Sequence, residues 1–230
     1  MVPTLIYLLY KNMIKRRWPI TCQKLENSMP GRSSLLIAGL IIILMLTTLV
    51  LAAQQQTLQY AVMHKGSEIG WLFIQKKISS STINYQLQSE VRVRFVFLFT
   101  GSAQEETRFE NGKMVYSRLY RKMNGKVKAN RCIWFNGKGY EVQRGNYKEK
   151  IELPSVTYNQ HSLYFQEPVH ESVMYSDSFQ QFIRIENMGN GVYRLKMPDG
   201  AINFFHYKNG ICCRVRIENT LHSAEIILKP

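Results

Sequence analysis

From Gln54 onward, apolar and polar residues alternate with the two-residue period of half-buried strands. Leu58, Tyr60 and Val62 alternate, Lys65, Gly66 and Ser67 make a turn, and Ile69, Trp71 and Phe73 alternate back. Ile83, Tyr85, Leu87, Val91, Val93, Phe95, Phe97 and Phe99 then hold one face, opposite Asn84, Gln86, Gln88, Glu90, Arg92 and Arg94. A run of that length must twist strongly or break in two. Val96 and Leu98 predict burial on both faces at its far end.

Turn chemistry sets the rest of the pattern. Asn111-Gly112, Asn124-Gly125, Asn136-Gly137, Asn190-Gly191, Asp199-Gly200 and Asn209-Gly210 each separate apolar-alternating runs. Such dipeptides tolerate the two positive φ angles of a type I′ hairpin turn. The spacing predicts strands over 113–123, 126–135, 192–197, 201–208 and 211–219, with a helical turn expected within 155–161. The fold class is therefore all-β, an antiparallel meander curled into an open or partly closed barrel. Curling limits exposed edges, and the concave face of a part-open barrel suits an apolar ligand.

The strand rhythm stops only at residues 161–171. Pro168 forbids a central strand there. Tyr164 and Phe165 are expected to plug one end of the sheet, with Glu167 capping backbone N–H groups or pairing with an arginine. With Trp71, Phe95 and Phe97, these three make up the candidate ligand-binding set. His161, Glu167, His170 and Glu171 also invite a metal or acid–base reading, but their spacing matches no metal motif. No catalytic residue, metal ligand or cofactor is assigned.

Ahead of the β region lies an uncharged apolar run over residues 35–53, preceded by Arg32 and followed by Gln54, Gln55 and Gln56. It predicts an N-terminal hydrophobic helix, either a cleaved signal peptide or a retained anchor. Met29 would supply a conventional short start for such a signal. The chain thus divides into a flank with a targeting segment over 1–53 and an exported domain over 54–230. That domain is expected in the periplasm or secreted, or held at the inner membrane facing the periplasm.

Charge adds a partner class. The formal net charge is +14 over 230 residues, which favours anionic partners. Arg92, Arg94, Arg214 and Arg216 form the candidate basic surface, with Arg118, Arg121, Lys122, Lys126 and Lys128 around the Asn124 turn. An anionic envelope surface is one expected partner. Nucleic acid is not, since export removes it and no recognition motif occurs. The cysteines are Cys22, Cys132, Cys212 and Cys213, without zinc-site spacing. Cys132 could pair with Cys212 or Cys213, and oligomeric state is left open. No nucleophile elbow, phosphate-cradling loop or nicotinamide fingerprint is present.

Ile69-Gly70, Phe109 with Asn111-Gly112, Asn124-Gly125-Lys126, the run Leu163, Tyr164, Phe165, Glu167, Pro168, and Pro198-Asp199-Gly200 with Asn209-Gly210 stand in a distinctive order. In them the chain resembles an uncharacterised family of secreted β proteins from Gram-negative bacteria, a domain of unknown function. The resemblance covers about residues 57–228 and is more distantly similar to the half-barrels of periplasmic lipoprotein carriers. It implies no catalytic residues and no essential disulfide. The expected function is non-enzymatic binding of an apolar or lipid-like ligand in the curved sheet. The alternatives are a structural or interaction protein with a filled core, and a hydrolase of an envelope polymer.

Overall fold

The computed structural model describes residues 54–94, 98–219 and 223–230. The apolar run over 35–53, Met29, Phe95 and Phe97 lie outside the described residues. Eight strands form a first meander: β1 (Gln54–His64), β2 (Ser67–Ser79), β3 (Thr82–Arg94), β4 (Leu98–Glu110), β5 (Lys113–Met123), β6 (Lys126–Phe135), β7 (Tyr140–Arg144) and β8 (Tyr147–Ile151). One helical turn, α1 (Ser162–Phe165), follows. A second meander comprises β9 (Val173–Ser176), β10 (Gln181–Gly189), β11 (Val192–Lys196), β12 (Ile202–Lys208), β13 (Ile211–Glu218) and β14 (Ser223–Leu228).

All fourteen strands join one antiparallel sheet, because β14 returns to pair with β1. Its edges are β8 and β9, which are neighbours in the chain but not in the ladder. The sheet is an open barrel. Its two ends nevertheless approach each other, since Arg131 on β6 donates to the carbonyl of Ser178 at 2.7 Å, just beyond β9. Arg144 on β7 likewise donates to Gln180 Oε1 at 2.6 Å.

The long run from Ile83 to Phe99 breaks in two. β3 and β4 pair antiparallel, with Val93 opposite Phe99 and Arg94 opposite Leu98. Residues at odd positions keep the same face on both strands, which is why the run reads as continuous. Four of the six Asn-Gly or Asp-Gly turns have positive φ at both residues, those at 111, 124, 190 and 209. At 136 and 199 only the glycine does.

Leu98 is 42% exposed, not buried at the far end of the run, and two further expectations need correction. The helical turn is Ser162–Phe165, not within 155–161. Val156 and Tyr158 spend their carbonyls on the sheet instead, accepting from Met114 N at 2.8 Å and Tyr175 N at 2.9 Å. Asn159 Oδ1 then accepts from Ser162 N and starts the turn. Second, β2 buries Leu72 and Ile74, while Trp71 is 41% exposed. The stretch from Ile69 to Ile74 is almost wholly apolar, so alternation there does not single out the core face.

The segment between β8 and β9 fills the barrel's lower end. Ser162, Leu163, Tyr164 and Phe165 are all buried. Tyr164 packs edge-on against Tyr60 and Phe205, and Phe165 packs on Tyr85. Carbonyls left without a ladder are met by phenols: Tyr207 Oη donates to Leu163 O and Tyr158 Oη to Gln166 O, both at 2.7 Å. Tyrosine supplies core area and a polar tip together, so an irregular segment can lie inside the sheet.

Candidate ligand cavity

Directly opposed residues of an antiparallel ladder share a face, and three inward rows follow from the register. The upper row runs Leu72, Ser89, Ala103, Arg121, Ala129, and the next runs Ile74, Leu87, Glu105, Leu119, Arg131. The lowest runs Tyr85, Thr107, Ser117, Ile133, Val142. Only the lowest rows are covered by the plug. Small side chains at Ser89, Gly101, Ala103 and Ala129 leave the upper part unfilled, and a cavity of about 620 Å³ lies there. Leu72, Leu87, Val91, Leu119 and Ile226 supply its apolar wall. Its size falls within the roughly 300–1,000 Å³ of small-molecule sites.

The floor is polar. His161 is buried, and its Nε2 lies 3.3 Å from Glu105 Oε2. Its Nδ1 is 3.0 Å from Thr107 Oγ1 and 3.1 Å from Asn159 Nδ2. Arg121 donates to Glu105 Oε1 from Nε at 2.9 Å and from Nη2 at 2.6 Å. Burial pushes the Glu105 carboxyl up, but the His161 ring and the Arg121 guanidinium outweigh it and hold it at about 2. Nearby, Asp177 accepts from Ser117 Oγ, while its Oδ2 has no partner among the described residues. Burial is the largest influence on Asp177 and raises its carboxyl.

This arrangement gives the cavity a charged, ordered floor. Thr107, whose hydroxyl meets His161 Nδ1, is fully buried. Among the described residues, no three His, Cys, Asp or Glu side chains come together as a metal site. Cys132, Cys212 and Cys213 are free thiols.

The expected ligand residues are dispersed. Tyr164 reaches the cavity. Phe165 sits below it against Tyr85, with Lys76 Nζ 6.0 Å from its ring centre. Glu167 accepts from Tyr193 Oη at 3.0 Å, and its N–H donates to Gly210 O. That phenol takes the place expected for an arginine. Trp71 lines a separate hollow of about 350 Å³ with Phe73, Gln88 and Lys229. His170 is exposed on the way out of the plug, apart from buried His161. The basic surface divides: three strands separate β3, with Arg92 and Arg94, from β13, with Arg214 and Arg216. Arg214 pairs with Glu225, and Arg216 lies 3.3 Å from Glu218 and over the Phe204 ring.

Residues 60–229 match the family described as Domain of unknown function (DUF6134). The chain belongs to the DUF6134 family. The matched span holds the cavity wall, its floor and the plug, so the site lies within the DUF6134 domain. The chain is also similar to a solved structure, the crystal structure of a beta-barrel-like protein of the domain of unknown function DUF1849 from Brucella abortus. Identity is 12%, over 77% of this chain and 96% of that one, with a TM-score of 0.49. The comparison with curated proteins found no match.

Sequence reasoning passed over Glu105, Arg131 and Asp177, and placed Arg121 on the basic surface although it turns inward to Glu105. One signal was present in β4, where Phe99, Gly101, Ala103, Glu105, Thr107 and Phe109 share a face. A glutamate in an inward row is a buried charge that needs partners.

Proposed function

We propose that this DUF6134 protein is a non-enzymatic binder of an apolar, lipid-like ligand, working outside the cytoplasm. One observation carries the reading: the concave cavity of about 620 Å³ above the plug, walled by Leu72, Leu87, Val91, Leu119 and Ile226. A protein that needed only a filled core would have larger side chains than Ser89, Ala103 and Ala129 there, because voids are costly. The apolar run over 35–53 supports an exported location.

Native mass spectrometry of the purified protein tests the reading, with an added mass of a lipid as the expected result. The double variant Ala103→Phe/Ala129→Phe fills the cavity and should remove that mass while keeping the parent circular dichroism. Parent protein that carries no lipid and leaves a polarity-sensitive apolar fluorophore unbound would favour the envelope structural role instead.

A further inference from the structure

The upper end of the barrel carries a second feature that ligand binding does not require. The β3–β4 and β5–β6 hairpins end side by side there, joined by Asn124 N donating to Thr100 O at 2.8 Å and by Thr100 N donating to Asn124 Oδ1 at 2.9 Å. Residues 91–94, 98–101 and 121–128 contain six cations and no carboxylate. Arg121 points inward to Glu105. The other five, Arg92, Arg94, Lys122, Lys126 and Lys128, are exposed, and none forms an ion pair among the described residues.

Most arginines on other outward faces are paired, Arg118 and Arg184 being exceptions. Arg108, Arg144, Arg194, Arg214 and Arg216 each have a carboxylate within reach. Exposed cations without a carboxylate partner occur elsewhere too, at Lys65, Lys113, Arg118 and Arg184 among others, but on these tips five cluster with no acidic residue in the same segments. The same tips expose apolar side chains: Leu98 at 42%, Met123 at 41% and Val127 at 52%.

We infer that this rim docks on a lipid bilayer bearing anionic head groups. Apolar side chains set among cations suit the boundary between acyl chains and head groups, where burial of apolar area and attraction to anionic lipid act together. A soluble polyanion would match the cations but leave Leu98, Met123 and Val127 in water. Val91, Phe99, Met123 and Lys128 also line the cavity, so docking places its mouth at the bilayer. The inference rests on the rim alone and stands whether or not the cavity holds a ligand.

Hydrogen exchange read by mass spectrometry tests it on the full chain. The protein is placed in nanodiscs of phosphatidylcholine, and in nanodiscs of equal parts phosphatidylcholine and phosphatidylglycerol. Because exchange is read segment by segment, membrane contact by residues 1–53 does not obscure the rim. Amides of 98–101 and 121–128 should slow on the anionic discs only, and less so at high salt, which shortens the reach of charge. The variant Lys122→Glu/Lys126→Glu/Lys128→Glu should lose that slowing, while amides of 85–87 stay protected and show the fold intact. Equal slowing on both discs, or none on the anionic ones, would overturn the inference. So would equal slowing by soluble heparin without lipid, because that would make the partner a polyanion and not a bilayer.

Discussion

Glu105 Oε2 lies 3.3 Å from His161 Nε2, and both side chains are nearly out of solvent. One partner comes from the middle of a strand and the other from the long break between β8 and β9. The contact therefore ties the plug to the sheet, with Arg121 completing the charge balance on the other carboxylate oxygen.

Acid should loosen this tie. The Glu105 carboxyl is held at about 2 in the folded chain, below the roughly 4.3 of an unfolded glutamate. Its stabilisation is then complete above the unfolded value and drains away as pH falls from about 5 towards 2. Thermal melts across that window should show a steep loss of Tm for the parent. Glu105→Gln should melt lower at pH 7, by about 1–3 kcal/mol in stability, and follow a shallower acid slope. Equal slopes would remove Glu105 from this role.

Asp177 has the opposite sign. Burial raises its carboxyl despite His161, Ser117 and Arg131 nearby, so its folded value exceeds its unfolded one. Stability from the neutral acid is present below the unfolded value and is lost as pH rises through the folded one. Asp177→Asn keeps the acceptor for Ser117 Oγ and cannot ionise. Its Tm should match the parent below the unfolded value and exceed it as pH rises through the folded one. A constant offset at all pH values would show that Asp177 does not titrate in this range.

The meander was legible because period-two alternation and Asn-Gly turns are local signals, and each strand could be read from its own residues. The core face of β2 was not, since Trp71 and Leu72 are both apolar and only the pairing of Tyr60 with Leu72 picks the inner one. The plug was legible as a break that needed filling, with Tyr164 and Phe165 its apolar mass. Its partners were not. His161 meets Glu105 and Thr107 only after the chain folds back across more than fifty residues, and no spacing in the sequence encodes that. The cavity was equally hidden, because it arises from small residues on three different strands coming into one upper region.

Gly70 offers a sharp test of the β2–β3 contact. A Cβ built there would lie 2.1 Å from the Glu90 carbonyl oxygen and 2.8 Å from Val91 Cα. Both neighbours are backbone and cannot rotate aside. Gly70→Ala must therefore spread the two strands, at roughly 3 kcal/mol, the upper end for overpacking. Denaturant melts should show that loss, and exchange should quicken at 70–72 and 89–91. A near-neutral result would mean that the strands are further apart than the register requires.

Phe165 and Glu167 separate the two jobs of the plug. Phe165 is 5% exposed and packs on Tyr85, so Phe165→Ala should cost about 3–5 kcal/mol as a core truncation. Glu167 acts through one acceptor atom, which takes the Tyr193 hydroxyl proton at 3.0 Å. Glu167→Gln retains an oxygen at that position and should cost under about 1 kcal/mol. Glu167→Ala leaves a buried phenol without its acceptor and should cost about 1–3 kcal/mol. Adding Tyr193→Phe to Glu167→Ala should restore part of that loss, because no polar group is then left unmet. Melts of the three Glu167-site proteins therefore order as parent and Gln, then the double variant, then Ala. If Gln falls as far as Ala, the charge matters rather than the acceptor. If all three melt with the parent, Glu167 does not hold the plug, and its attachment rests on Phe165, Tyr164 and the His161–Glu105 contact.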